Sequence, residues 1–215
     1  MSSTNADYAN RGSLWEGGAA PYAIGSKKLG MWLFIIADAL TFSALLMVYS
    51  YLRFATANWP RPFHTWPSIA MATLMTFVLL SSSVTMVFGV LAASRNDRRA
   101  TVKWIIFTMI GGLAFVVLHS NEWLGLIHEG VTPFGNPWGE PLFGASFFTL
   151  TGLHMTHVIV GVIYLGIVAT GFGRGKFSSE DVEVSGLYWH FVDLVWMFIF
   201  PMVYLMSNVV GGGAH

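Results

Sequence analysis

The chemistry available to this chain rests on seven histidines, three acidic residues set in apolar surroundings, and no cysteine at all. Three pairs stand out by spacing: His119 with Glu122, His154 with His157, and His190 with Asp193. Residues three apart lie on one face of a helix, so each pair can share a proton or present two polar groups to the same neighbour. Asp38 is the remaining acidic residue inside an apolar segment. An unpaired ionised side chain at the centre of a bilayer costs roughly 2.5–3.5 kcal/mol on insertion scales, so Asp38, Glu122 and Asp193 each need a partner or a purpose.

Three chemistries fit these residues. Histidines within a membrane can ligate haem or copper, and the depths of His119 and His157 along their segments allow a facing pair, although no second such pair is evident. Acidic residues and histidines also mark proton or ion pathways, but Asp38 and Asp193 fall in one half of the membrane and Glu122 near the opposite end, which makes no obvious relay. Thirdly, buried hydrogen-bonded polar groups set helix register and contacts with lipid or partner subunits. This structural reading leads, and the other two stay open.

The elements that must position these residues follow from composition. Of 215 residues 54% are hydrophobic and 10% charged, with a mean hydropathy of +0.60, too apolar to cover a water-facing surface. Stretches without Asp, Glu, Lys or Arg run from Pro62 to Ser94 and from Pro141 to Gly173, well beyond the roughly 20 residues that cross a bilayer as a helix. The expected fold is an all-α integral membrane bundle of five transmembrane helices, at about Leu29–Arg53, Trp66–Ala93, Val102–Ile127, Pro141–Gly171 and Val184–Val210. A polar, glycine-rich tail occupies 1–28, the transmembrane domain 29–210, and a short tail 211–215. The first apolar segment is too long for a signal-peptide core, so the tail reads as retained. Breakers such as Asn58, Pro60 and Pro62, and Pro133, Gly135, Asn136 and Pro137, mark connections. Pro201 removes a backbone donor inside the last helix and predicts a local kink. The missing cysteines exclude disulfides, thiolate metal centres and cysteine nucleophiles, and the balanced charge without a basic cluster argues against nucleic acid.

Assigning alternate connections to alternate faces puts Arg11, Lys27, Lys28, Arg95, Arg98, Arg99, Lys103, Arg174 and Lys176 on one side and only Arg53 and Arg61 on the other. The positive-inside rule then predicts a cytoplasmic N-terminus and an external C-terminus. Aromatic residues near both ends, including Trp32, Trp104, Tyr188 and Trp189 on the inner side and Tyr51, Trp59, Trp66, Trp123 and Trp138 on the outer, read as interfacial anchors.

From residue 28 onward the chain resembles subunit III of the haem-copper terminal oxidases. The segment Tyr188-Trp189-His190-Phe191-Val192-Asp193-Leu194-Val195-Trp196 is similar to that family's YWHFVDxVW, and Thr151-Gly152-Leu153-His154-Met155-Thr156-His157-Val158 to its TGxHxxHV. Leu33-Phe34-Ile35 before Asp38, Ser82-Ser83 with Thr85, and Glu122-Trp123 add support. Asp38 stands where many members have Glu, and His119 where Gln is common. Five spans instead of the seven of the mitochondrial type resemble the shorter bacterial form.

The resemblance implies a non-catalytic, non-redox subunit in a bacterial inner membrane, placed beside subunit I, with haem and copper in the partner subunits and none in this chain. It also implies structural phospholipid, shielding of an oxygen route and support for proton uptake by subunit I. Arg174 and Lys176, bordering the inner ends of the last two helices, and His190 are the expected lipid-binding residues. Asp38, His119, Glu122, His154, His157, His190 and Asp193 are the expected buried polar contacts. A small channel or transporter, a b-type haem subunit and a nitric oxide reductase-associated homologue are the alternatives.

Overall fold

The computed structural model describes residues 25–63 and 68–206. Arg11, the expected helix limits at Trp66 and Val210, the tail at 211–215 and most of the tail at 1–28 lie outside the described residues. The regular elements among the described residues are helices, in the order α1 (Ser26–Ala55), α2 (Ala70–Ser94), α3 (Arg98–His128), α4 (Pro141–Gly173) and α5 (Ser179–Ile199). The chain continues from α5 into a π-helical segment, Phe200–Leu205. Five helices, the last counted through Leu205, are long and apolar enough to cross a membrane.

Helices α1, α3 and α5 start earlier than hydropathy suggests, and caps account for two of them. Asp97 caps α3 by accepting the Ala100 N–H at 3.0 Å, and Ser178 with Asp181 forms a capping box at the start of α5. The caps draw polar first turns, Arg98-Arg99 and Glu180-Asp181, into the helices, and an apolar window cuts such turns off. The α2–α3 connection is only Arg95-Asn96-Asp97, with Asn96 in the left-handed region at φ 57°. So tight a turn makes α2 and α3 antiparallel neighbours.

Where the sequence predicts a local kink at Pro201, the structure has a π-helical segment, Phe200–Leu205. The backbone widens into a π turn, and Met206 N–H reaches the Pro201 carbonyl, five residues back, at 3.0 Å.

Helix α5 is the hub, packing on α1, α2 and α4, while α3 closes the bundle between α2 and α4. Trp189 on α5 is fully buried, with its ring over Gly161 of α4 and Gly112 of α3 and its Nε1–H donating to Ser82 Oγ of α2 at 3.1 Å. An added Cβ at Gly161 would stand 3.0 Å from the ring, and one at Gly112 would overlap it. The expectation that Trp189 and Tyr188 sit as interfacial anchors is therefore corrected: both are buried in the core. The indole N–H finds an acceptor inside the bundle and does not need the membrane surface. Helix α1 lies against α4 and α5, and Phe42 and Tyr49 are its buried residues. Outward faces throughout are apolar, with Leu33, Leu40, Phe77, Val117 and Ile163 exposed, as a lipid-facing surface requires.

Candidate functional site

The polar groups inside the bundle join helices to one another. Asp38 on α1 meets His157 on α4, Oδ2 to Nε2, at 3.2 Å, with both side chains largely shut off from the surface. The other ring nitrogen, Nδ1, lies 2.8 Å from the Leu153 carbonyl one turn back. A carbonyl only accepts, so in this contact Nδ1 carries the hydrogen. Asp38 Oδ2 is enclosed and, although Nε2 stands 3.2 Å away, it closes no hydrogen bond of normal geometry. Tyr188 O–H of α5 donates to the His157 carbonyl at 3.1 Å, so α1, α4 and α5 meet at this point.

A second group lies towards the other end of α3. Tyr204, in the π-helical segment, donates its O–H to Glu122 Oε2 at 2.7 Å, and His119 Nδ1 stands 3.3 Å from the same oxygen. Glu122 Oε1 is enclosed and has no hydrogen-bond partner among the described residues. His119 is fully buried and stacked on Phe115, with ring planes 16° apart. His154 is also fully buried, stacked on Trp196 at 5.2 Å and edge-on to Phe115. Phe115 and Trp196 contact both imidazoles, so aromatic surface lines the region between them.

The third pair separates. His190 is half-buried and its Nδ1 lies 2.5 Å from Ser83 Oγ on α2, while Asp193, one turn on, is buried at 4% exposure. No hydrogen bond or ion pair joins His190 to Asp193 among the described residues. Neither Asp193 carboxylate oxygen has a hydrogen-bond partner among the described residues. Hydroxyl contacts that sequence reading passes over complete the set: Trp196 Nε1–H to Thr76 Oγ1 at 3.0 Å and the Thr85–Thr108 hydroxyl pair at 2.8 Å. Tyr204 and Thr76 sit among apolar neighbours in sequence, where a lone hydroxyl is no more conspicuous than any other helix residue.

Arg174 and Lys176 are exposed at the end of α4. A groove of about 310 Å³ beside His190 runs between α2 and α5 and has Glu183 as its charged lining residue. A larger groove, about 470 Å³, is lined by Arg98, Arg99 and Lys103 together with Val102, Ile106, Phe107 and Gly173. No group of three or more His, Asp or Glu is placed to hold a metal ion among the described residues.

Such a bundle, five apolar helices joined by single polar contacts across their seams, defines a multi-pass membrane protein. The sequence pattern of the family Cytochrome c oxidase subunit III matches residues 10–208, and the chain belongs to that family. It is 36% identical over 182 residues to "Quinol oxidase subunit 3" of Bacillus subtilis (strain 168), covering 83% of this chain and 86% of that protein. It is 32% identical over 190 residues to "Cytochrome c oxidase subunit 3" of Alkalihalophilus pseudofirmus, covering 87% and 89%. It is 31% identical over 188 residues to "Cytochrome bo(3) ubiquinol oxidase subunit 3" of Pseudomonas aeruginosa, covering 85% and 86%. The family read from the His190 and His154 motifs is thus the family found.

Proposed function

We propose that this chain is the non-redox accessory subunit of a proton-pumping haem-copper oxidase in a bacterial inner membrane. It packs beside subunit I, holds structural phospholipid, shields a route for oxygen and sustains proton uptake, while haem and copper reside in its partners. The N-terminus is cytoplasmic and the C-terminus external. The observation that carries this reading is the use made of the buried polar groups. Asp38 with His157, Tyr204 with Glu122 and Ser83 with His190 each tie one helix to another, which is the work of a scaffold.

The lipid part of the reading draws on charge. Arg174, Lys176 and His190 remain candidates for headgroup contact, but the groove beside His190 carries Glu183, and Glu183 already holds Lys28 at 2.5 Å. Arg98, Arg99 and Lys103 bring three cations to one apolar groove, which suits an anionic headgroup with its acyl chain along Ile106 and Phe107.

Native mass spectrometry of the complex solubilised from its own membranes tests the assignment. Haem-bearing oxidase subunits are expected alongside this chain. Oxidase lacking it should start at a nearly normal rate, keep its haem spectrum and lose activity sooner during turnover. A preparation of this chain with no oxidase subunit, or with a stoichiometric haem of its own, overturns the proposal.

A further inference from the structure

At the end of the bundle opposite Arg98 and Arg174, the chain leaves α1 and folds around a hollow of about 460 Å³ whose lining includes Arg53, Phe54, Thr56, Asn58, Trp59 and Arg61. Arg53 and Arg61 are the two basic residues that fall on this side of the bundle, and both line the same hollow. The positive-inside rule gives no reason for either. Arg53 is fixed by donating to the Met202 and Met206 carbonyls, which leaves three of its five N–H groups free of that contact. Arg61 is exposed and has no hydrogen bond or ion pair among the described residues. It stands between Pro60 and Pro62, which restrict Trp59 and Arg61 to extended backbone. Trp59 anchors this stiff loop, 9% exposed and edge-on to Tyr49 and Phe143. No Asp or Glu lines the hollow among the described residues. Two guanidinium groups held around one hollow without a carboxylate repel each other unless an anion lies between them. A separate observation points to the kind of anion. Phe54, Tyr51 and Met47 descend from the hollow at helical spacing along the outward face of α1, 80%, 71% and 72% exposed.

We infer that this hollow binds the phosphate of a phospholipid in the leaflet on that side, with Arg53 and Arg61 as donors and an acyl chain along Phe54, Tyr51 and Met47. The planar guanidinium fork matches phosphate oxygens, and a rigid loop that already holds Arg61 in place loses little freedom when the headgroup arrives. A free phosphate would use the hollow and leave the apolar stripe open to no purpose. The site lies across the membrane from Arg98, Arg99 and Lys103 and from Arg174, Lys176 and His190. It goes beyond the accessory-subunit reading and does not depend on which complex holds the chain.

The test uses the chain in the complex as purified from membranes in mild detergent. Phenylglyoxal reacts with accessible guanidinium groups, and peptide mass spectrometry follows its rate at each arginine. Arg61 should react about tenfold more slowly than Arg95, which is also exposed but lines no such hollow, a ratio that corresponds to one charged hydrogen bond. Extensive detergent washing to remove lipid should bring the two rates together. Phosphatidylglycerol added back should restore the protection, whereas diacylglycerol, which lacks the phosphate, and inorganic phosphate at the same concentration, which lacks the chains, should not. In parallel, phosphatidylglycerol carrying a diazirine near its glycerol should label the segment 54–61. Arg61→Gln, a change at an exposed position, should lower that labelling about tenfold with helix content unchanged. Arg61 reacting as fast as Arg95 from the start, protection that survives delipidation and so comes from a protein group, protection by inorganic phosphate equal to that by phosphatidylglycerol, or unaltered labelling of Arg61→Gln each overturn the inference.

Discussion

Helices α1 and α5 solve the same problem in opposite ways. Within the most apolar window of each, 11% of α1 is buried against 56% of α5. Helix α5 is held by shape: Trp189 fills a socket made by two glycines and a serine, and Trp196 packs on Phe115, His119 and His154. Helix α1 has few such contacts and is fastened at three heights. Lys27 and Lys28 pair with Asp181 and Glu183 at one end, Asp38 meets His157 in the middle, and Arg53 donates to the Met202 and Met206 carbonyls at the other. In lipid, apolar surface alone gives helices little reason to associate, so a peripheral helix with small buried area depends on polar contacts that lipid cannot replace. The contrast predicts that α5 is sensitive to volume and α1 to chemistry.

The largest effect should come from the Trp189 socket. Trp189→Ala removes a fully buried indole and leaves Ser82 without its donor, at a cost of about 3–5 kcal/mol. Unfolding of the solubilised chain by denaturant measures it, and a loss under 1 kcal/mol would mean that α5 is not the volume-sensitive element.

Next in size is Asp38→Leu, which strands His157 Nε2 away from water and should cost roughly 1 kcal/mol, with α1 becoming the first segment cut by added protease. Combining it with His157→Phe removes both polar partners and should recover most of the loss. If the double variant is as unstable as Asp38→Leu, the pair is not what fastens α1.

Asp193 sharpens the comparison from inside α5. Because its buried oxygens close no hydrogen bond of normal geometry and, unlike Asp38 with His157 at 3.2 Å, it has no ion-pair partner among the described residues, Asp193→Asn should leave stability unchanged or raise it slightly. A clear drop in melting temperature would show that Asp193 is engaged as firmly as Asp38.

The smallest effect is expected at the charged end of α1. Replacing Lys27 and Lys28 by Ala breaks two partly exposed ion pairs, worth about 0.2–1 kcal/mol each and less in salt. The difference from the unaltered chain should shrink between low and high ionic strength, and a salt-independent loss would point to packing.

Helix count, the limits that fall on described residues and the family were legible in the residues; at Pro201 the sequence predicted a local kink, and the π-helical form of the segment came from the structure. Hydropathy, capping and proline chemistry act over a few neighbours in the chain, and the motifs around His154 and His190 are contiguous. Same-face spacing brought out the His119–Glu122 pair because both residues lie on one helix. Spacing could not show that His157 reaches Asp38, that Glu122 is held by Tyr204, or that His190 turns to Ser83 and away from Asp193. Those choices depend on the rotation and depth of one helix against another, which the packing of Trp189, Trp196 and the glycines decides. For the same reason a tryptophan that reads locally as a membrane anchor became the centre of the core: its place is set by what faces it across the bundle, and no property of its own helix encodes that.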